Sequence, residues 1–101
     1  MQFDIYANPR AGDYPLLLDI QADLLSSLAT RVVVPLMKRK RLGRAHLTRL
    51  NPIIAVEGTE YAALFQEMAA IPRAALGARV ASMADRRVEF VAAIDLLLTG
   101  T

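Results

Sequence analysis

Apolar and polar positions alternate from the start of the chain. Across Gln2 to Ala7, Phe3 and Ile5 fall on one side and Asp4 and Tyr6 on the other, which predicts a half-buried strand. Asn8-Pro9-Arg10-Ala11-Gly12-Asp13 is dense in turn formers and predicts a loop. Alternation resumes from Leu16 to Gln21, with Leu16, Leu18 and Ile20 opposite Leu17, Asp19 and Gln21, and predicts a second strand. Ala22 to Thr30, which holds Leu24, Leu25, Ser26 and Ser27, connects it to Arg31-Val32-Val33-Val34-Pro35-Leu36, a β-branched run suited to a buried strand. Pro35 has no N–H for a ladder, so that strand is expected to end there or to lie at an edge. Pro52 to Val56 is a further β-rich run, and Glu57-Gly58 turns the chain.

The period then changes. Tyr61, Leu64, Phe65, Met68 and Ile71 recur at helical spacing among good helix formers, with Thr59 available as N-cap; local reasoning predicts a helix over 60–70. Pro72 and Gly77 break the chain. Ser82 and Asp85 then read as a capping box opening a final helix. Its apolar stripe is Met83, Phe90, Val91, Ile94, Leu97 and Leu98, opposite Asp85 and Glu89. Leu96 falls on the otherwise polar side. Core packing accounts for Leu97 and Leu98, so Leu96 is the residue expected to need a partner.

Composition bounds what these elements can do. At 101 residues the chain is expected to form one domain, large enough to bury a core without metal or disulfide. An apolar fraction of 54% is high for that size and predicts apolar surface held against a partner, a homodimer first of all. The absence of cysteine excludes thiolate chemistry and a cysteine metal site. Met1 to Tyr6 has no basic n-region or apolar h-region, and no apolar run approaches the roughly 20 residues of a membrane helix, so no membrane role and a cytoplasmic location are expected. The net charge of +2 conceals an asymmetry: residues 1–37 and 50–101 each sum to −2. Lys38, Arg39, Lys40, Arg41, Arg44 and Arg49 place +6 within twelve residues.

Catalytic groups are sparse. His46 is the one histidine and sits inside the basic run, which reads as a solvated loop position before an acid–base one. Asp19 and Asp23 straddle a strand end and need not converge. Gly12, Gly43, Gly58, Gly77 and Gly100 are isolated and read as turn or cap positions, so no phosphate loop and no cofactor are expected. The cluster Lys38 to Arg41 fits a solvated loop, a dock for an acidic protein segment, or a phosphate contact. No aromatic side chain interleaves with it, which argues against stacking on single strands.

Taken in order, Met1-Gln2-Phe3 with Tyr6, Tyr14, Asp19-Ile20-Gln21-Ala22-Asp23 and Arg31 to Leu36 resemble the CcdB toxins of toxin–antitoxin modules. Pro52, Glu67-Met68-Ala69-Ala70-Ile71-Pro72, Gly77, Val80, Arg86, Ala93-Ile94, Leu96 and Gly100 continue the match to the C-terminus. The resemblance implies an α+β, mainly β fold: a compact SH3-like antiparallel barrel, a small second sheet and one C-terminal helix, assembled as a symmetric dimer. It also implies strands over 60–70, against the local helical pattern. Toxins of this kind bind the A subunit of DNA gyrase and trap it on cleaved DNA, without chemistry of their own, until a CcdA-like antitoxin with an acidic, disordered tail removes them. DNA is then met only through gyrase or the antitoxin.

Carried onto this chain, the gyrase surface is Leu24, Leu25, Asp95, Leu98, Thr99, Gly100 and Thr101. The charge cluster itself makes Lys38, Arg39, Lys40 and Arg41, with Arg10 and Arg44 as neighbours, the expected dock for the antitoxin's acidic tail. The family's best-known plasmid member has asparagine where this chain has Asp95 and ends in Trp-Gly-Ile, of which only Gly100 is kept here. Two other readings stand beside it: a toxin relic that keeps the fold without lethality, and an endoribonuclease of the MazF type, whose fold is shared but whose acid–base pair is not evident beside the basic run.

Overall fold

A computed structural model of the chain describes residues 1–10, 12–43 and 49–101. The strands are β1 (Asp4–Ala7), β2 (Leu16–Asp19), β3 (Thr30–Lys38), β4 (Ile53–Val56), β5 (Thr59–Ala63), β6 (Ala69–Pro72) and β7 (Arg79–Ser82). One helical turn, α1 (Arg39–Leu42), follows β3, and α2 (Arg87–Thr99) comes last. The strands form one curled antiparallel sheet in the order β4-β5-β3-β2-β1-β7, with β6 joined to β3 off that path. This is the mainly β half-barrel with a C-terminal helix that the resemblance implies. The smaller sheet is continuous with the larger one through β3.

β3 is the spine. One edge pairs with β2, from Leu16↔Leu36 to Asp19↔Val33. The other pairs with β6 over Thr30 to Val33 and with β5 over Leu36 to Lys38. Pro35 therefore neither ends the strand nor lies at an edge. Its carbonyl accepts from Leu64 N–H at 3.0 Å. The N–H and C=O of a strand residue point to the same side, so the missing donor faces the junction where β3 changes partner from β6 to β5. Proline fits there because no ladder bond has to be made.

The β4–β5 hairpin closes through Glu57 and Gly58, with φ of 51° and 81°, the two left-handed residues that a type I′ turn requires. The helix expected over 60–70 is replaced by β5, a 3₁₀ turn at Phe65–Glu67, and β6. Tyr61, Ala63 and Phe65, at period two, enter the core. Pairing of β5 with both β4 and β3 outweighs the local helical preference.

The strand expected from Gln2 begins at Asp4, because Phe3 takes a left-handed φ of 67°. There Phe3 N–H donates to Asp19 O, and Phe3 O accepts from Met83 N–H. The Phe90 ring of α2 lies 5.3 Å from that of Phe3 and 6.0 Å from that of Phe65, centroid to centroid, and Phe90 and Ala93 are fully buried. These contacts fix the helix on the sheet.

The start of α2 differs from the capping box. Ala84–Arg86 forms a 3₁₀ turn, Ser82 Oγ accepts from Ala84 N–H at 3.4 Å, and α2 starts at Arg87. Glu89 supplies the first-turn acid and pairs with Arg86. Gly100, left-handed at φ 77°, ends the helix with its N–H on Leu96 O. Gly77 is not a turn glycine: a Cβ there would lie 2.6 Å from Ala7 O.

Candidate functional site

The described start of the basic run, Lys38 to Gly43, is a strand end and one helical turn, with Arg39, Lys40 and Arg41 exposed. β3 carries Lys38 into α1, and Gly43 ends that turn at φ 67°, ψ −140°, a conformation open mainly to glycine. Lys38, Arg39 and Lys40 line a cleft of about 660 Å³ with Gly43, Gly58, Thr59 and Glu60. Two of the arginines already have partners within the chain. Arg39 Nη1 donates to Glu60 Oε1 at 3.1 Å, and Arg41 Nη2 to Asp13 Oδ1 at 2.6 Å. The Asp13 pair ties the β1–β2 loop, and with it Arg10, to the basic turn. Asn8 shapes that loop, accepting from Arg10 N–H and donating to Tyr14 O. Arg10 is exposed at a second cleft of about 240 Å³, lined by Asn8, Leu17, Ile71, Pro72 and Ala75. Arg44 and His46 lie outside the described residues.

Leu24 and Leu25 sit on a 3₁₀ turn, Asp23–Leu25, that buries no residue. They are 91% and 47% exposed, and Leu98 on α2 is 68% exposed. Leu98, not Leu96, is thus the uncovered leucine of the last turn. At about 100° per residue, Leu96 lies about 60° round the helix from buried Ala93 and Leu98 about 140°, so the core shelters the first and not the second. Asp95, Thr99, Gly100 and Thr101 are exposed too. Thr99 Oγ1 donates to Asp95 O at 2.7 Å and lies 2.8 Å from Thr101 Oγ1, which folds the tail back on the helix end. Among the described residues no hydrogen bond or ion pair joins the Leu24–Leu25 turn to this tail.

A third cluster was missed by the sequence reading. The β1–β2 register pairs Ile5 with Leu18, and its extension sets Asp4 opposite Asp19. Both carboxylates are buried, with side chains only 5% and 3% exposed. Cations bridge what would otherwise be a like-charge pair. Met1 ammonium lies 3.5 Å from Asp4 Oδ2 and 3.7 Å from Asp19 Oδ2; Arg79 Nε bonds Asp4 Oδ2 at 3.0 Å, and Arg31 Nε stands 3.9 Å from Asp19 Oδ2. Burial raises the Asp19 carboxyl above its ordinary value, opposed by the Gln21 N–H, the Met1 ammonium and Arg31. Burial, then Asp4 and Asp19, also raises the Tyr6 phenol. The available signal was an acid at the same register position in two adjacent alternating strands. Asp23 does not join them: its Oδ1 accepts from Gln2 N–H at 2.7 Å. Carboxylates so enclosed and ion-paired are closed to a phosphodiester.

Exposed leucines on one turn and one helix end, and a cationic cleft on another edge, define a small half-barrel whose distinctive groups face outward, toward other macromolecules. The family model described as CcdB protein matches residues 2–100, essentially the whole chain, and the chain belongs to the CcdB family. That family is one of toxins from toxin–antitoxin modules directed at DNA gyrase. Among the described residues no helix is long and apolar enough to cross a membrane.

Proposed function

We propose that this chain is the toxin of a type II toxin–antitoxin module, acting in the cytoplasm as a homodimer that binds the A subunit of DNA gyrase. It performs no covalent chemistry. By binding the DNA-cleaved state of gyrase better than the others, it raises the population of that state, and the breaks are gyrase's own. The gyrase surface is Leu24, Leu25, Asp95, Leu98, Thr99, Gly100 and Thr101, presented twice about the dimer axis. The observation that carries this reading is the exposure of Leu24, Leu25 and Leu98, three large apolar side chains of that set left in solvent on one turn and one helix end.

The antitoxin surface is Arg10, Lys38, Arg39, Lys40 and Arg41, with Arg44. Its charge steers an acidic disordered segment. Purified chain, gyrase and supercoiled plasmid test the function together. The expected result is linear DNA released on detergent and protease treatment, lost in Leu24→Ala/Leu98→Ala and unaffected by alanine at Lys38 and Lys40. Tight gyrase binding without cleaved DNA, or no binding at all, identifies a relic; degraded RNA in a parallel incubation identifies a ribonuclease.

A further inference from the structure

The turn that carries Leu24 and Leu25 has no packing of its own, since every residue from Ala22 to Thr30 is exposed. Beyond its own backbone bonds, from Leu25 N–H to Ala22 O, Ser26 N–H to Asp23 O and Leu28 N–H to Leu25 O, it is held by side chains that reach in from outside and bind its carbonyl oxygens. Arg31 Nη2 donates to Ser26 O at 2.9 Å, and Arg31 Nη1 donates to Leu28 O at 3.3 Å and Thr30 O at 3.2 Å. Arg73, on the turn after β6, donates from Nη1 to the same Ser26 O at 3.1 Å, and its N–H donates to Ala29 O at 2.8 Å. Gln21 Nε2 donates to Leu25 O at 3.0 Å, while its Oε1 accepts from Val32 N–H at 3.1 Å. Neither arginine has a carboxylate within hydrogen-bond distance among the described residues. Arg31 has Asp19 at 3.9 Å, near enough to anchor the charge and too far to take its N–H groups.

We propose that Arg31 and Arg73 are positioning residues that clamp the main chain of residues 24–30 and so present Leu24 and Leu25 in one fixed conformation for binding. The clamp rests on the gyrase reading for the identity of what is bound, and on the geometry alone for the ordering of the turn. Guanidinium groups suit the task because their N–H donors form a fixed planar fork. Two of them converge on Ser26 O, the carbonyl that follows the exposed leucines. A partner meeting an ordered turn does not have to supply the ordering of its backbone and side chains.

Arg73 is the cleaner perturbation, because it is exposed and its guanidinium makes one hydrogen bond among the described residues, whereas Arg31 also faces buried Asp19. Amide hydrogen exchange on the free protein reads the clamp without gyrase. In Arg73→Ala, exchange over residues 25–30 is expected to speed about tenfold while β1 and β2 amides keep their protection; Arg73→Lys, which restores one donor, recovers part of it. A titration against the gyrase A fragment is expected to show about five- to tenfold weaker binding for Arg73→Ala. It is also expected to show that Leu24→Ala costs less affinity in the Arg73→Ala background than in the wild type. Unchanged exchange over 25–30, or strictly additive losses, overturns the clamp. Faster exchange in a protein whose wild type does not bind the fragment leaves the clamp standing and removes the gyrase reading.

Discussion

The ion pair between Arg39 and Glu60 makes the strength of the basic cleft measurable. The two side chains meet at 3.1 Å, each more than half exposed. An acidic segment entering the cleft has to take Arg39 from Glu60 or leave it unused. Exposed pairs of this kind are worth about 0.2–1 kcal/mol, a factor of about 1.4–5 in a binding constant. Glu60→Gln frees the guanidinium, keeps a polar side chain of the same shape, and removes a carboxylate from the path of the incoming acids. A fluorescein-labelled poly-glutamate peptide titrated by anisotropy at about 0.1 M salt is therefore expected to bind Glu60→Gln about 1.4- to 5-fold more tightly than the wild type, with a steeper loss of affinity as salt rises. The same estimate limits the stability loss to about 1 kcal/mol, or a fall in Tm of about 4–8 °C. Equal or weaker binding by Glu60→Gln refutes the reasoning, because Arg39 is then not held back from the partner by its internal carboxylate.

Two further outcomes follow from the fold. Because the Asp19 carboxyl is raised in the folded state, the native protein binds more protons than the unfolded chain between the ordinary aspartate value of 3.8 and the higher folded one. Asp19 thus contributes most to stability below that window, and its contribution falls as pH rises through the folded pKa. Asp19→Asn keeps an acceptor for Gln21 N–H without the charge, so urea midpoints from pH 4 to pH 7 should show the variant gaining on the wild type as pH rises; a gap that moves the other way refutes this. Gly77→Ala sets a Cβ 2.6 Å from Ala7 O, where Gly77 N–H and Ala78 O both bond the Ala7 backbone. A loss of about 1–3 kcal/mol is expected by urea denaturation, and an unchanged midpoint would show that the β1–β7 junction shifts freely.

How much of this was legible in the sequence depends on whether the deciding force is local. The strands around Ile5 and Leu18 were legible from alternating apolar and polar residues, and that around Val34 from its β-branched run, although the fold buries both faces of Leu16–Asp19 and of Val33–Leu36. The basic turn was legible because six cations in twelve residues need no fold to be seen. Residues 60–70 were legible only through the resemblance, since Tyr61 and Phe65, four apart, satisfy a helical period and a strand period at once, and the choice lies with β3 and β4. Pro35 misled for a related reason: whether a missing N–H matters depends on which strand stands opposite it. Leu98 and Leu96 exchanged roles because α2 starts at Arg87 and is oriented by Phe90 against Phe3 and Phe65, contacts set by residues far away in the chain. The Asp4–Asp19 pair needed the register of two strands as well as their alternation, and the arginine clamp was out of reach of composition or periodicity, since it consists of bonds between elements.

The two candidate surfaces are built on opposite uses of arginine, and this bears on how they would behave together. Arg31 and Arg73 direct their donors to carbonyls of their own chain, so what the Leu24–Leu25 turn offers a partner is apolar area. Binding there depends on exclusion of water and on the order of the turn, and changes little with salt. Arg39 and Arg41 hold carboxylates of their own chain weakly and in solvent, so what the basic turn offers is exchangeable charge, sensitive to salt and suited to fast encounter. The link between the two is β3, whose first residues carry Arg31 and whose last leads into Arg39. A partner that docks on the charged end by electrostatic attraction meets a strand whose far end anchors the leucine turn. Any antagonism between the partners therefore has a physical route through nine residues of one strand, besides direct overlap of their footprints. Arg31 discriminates between these routes, because it lies on that strand and holds the turn: its replacement is expected to weaken coupling along β3 and to leave direct overlap of footprints unchanged.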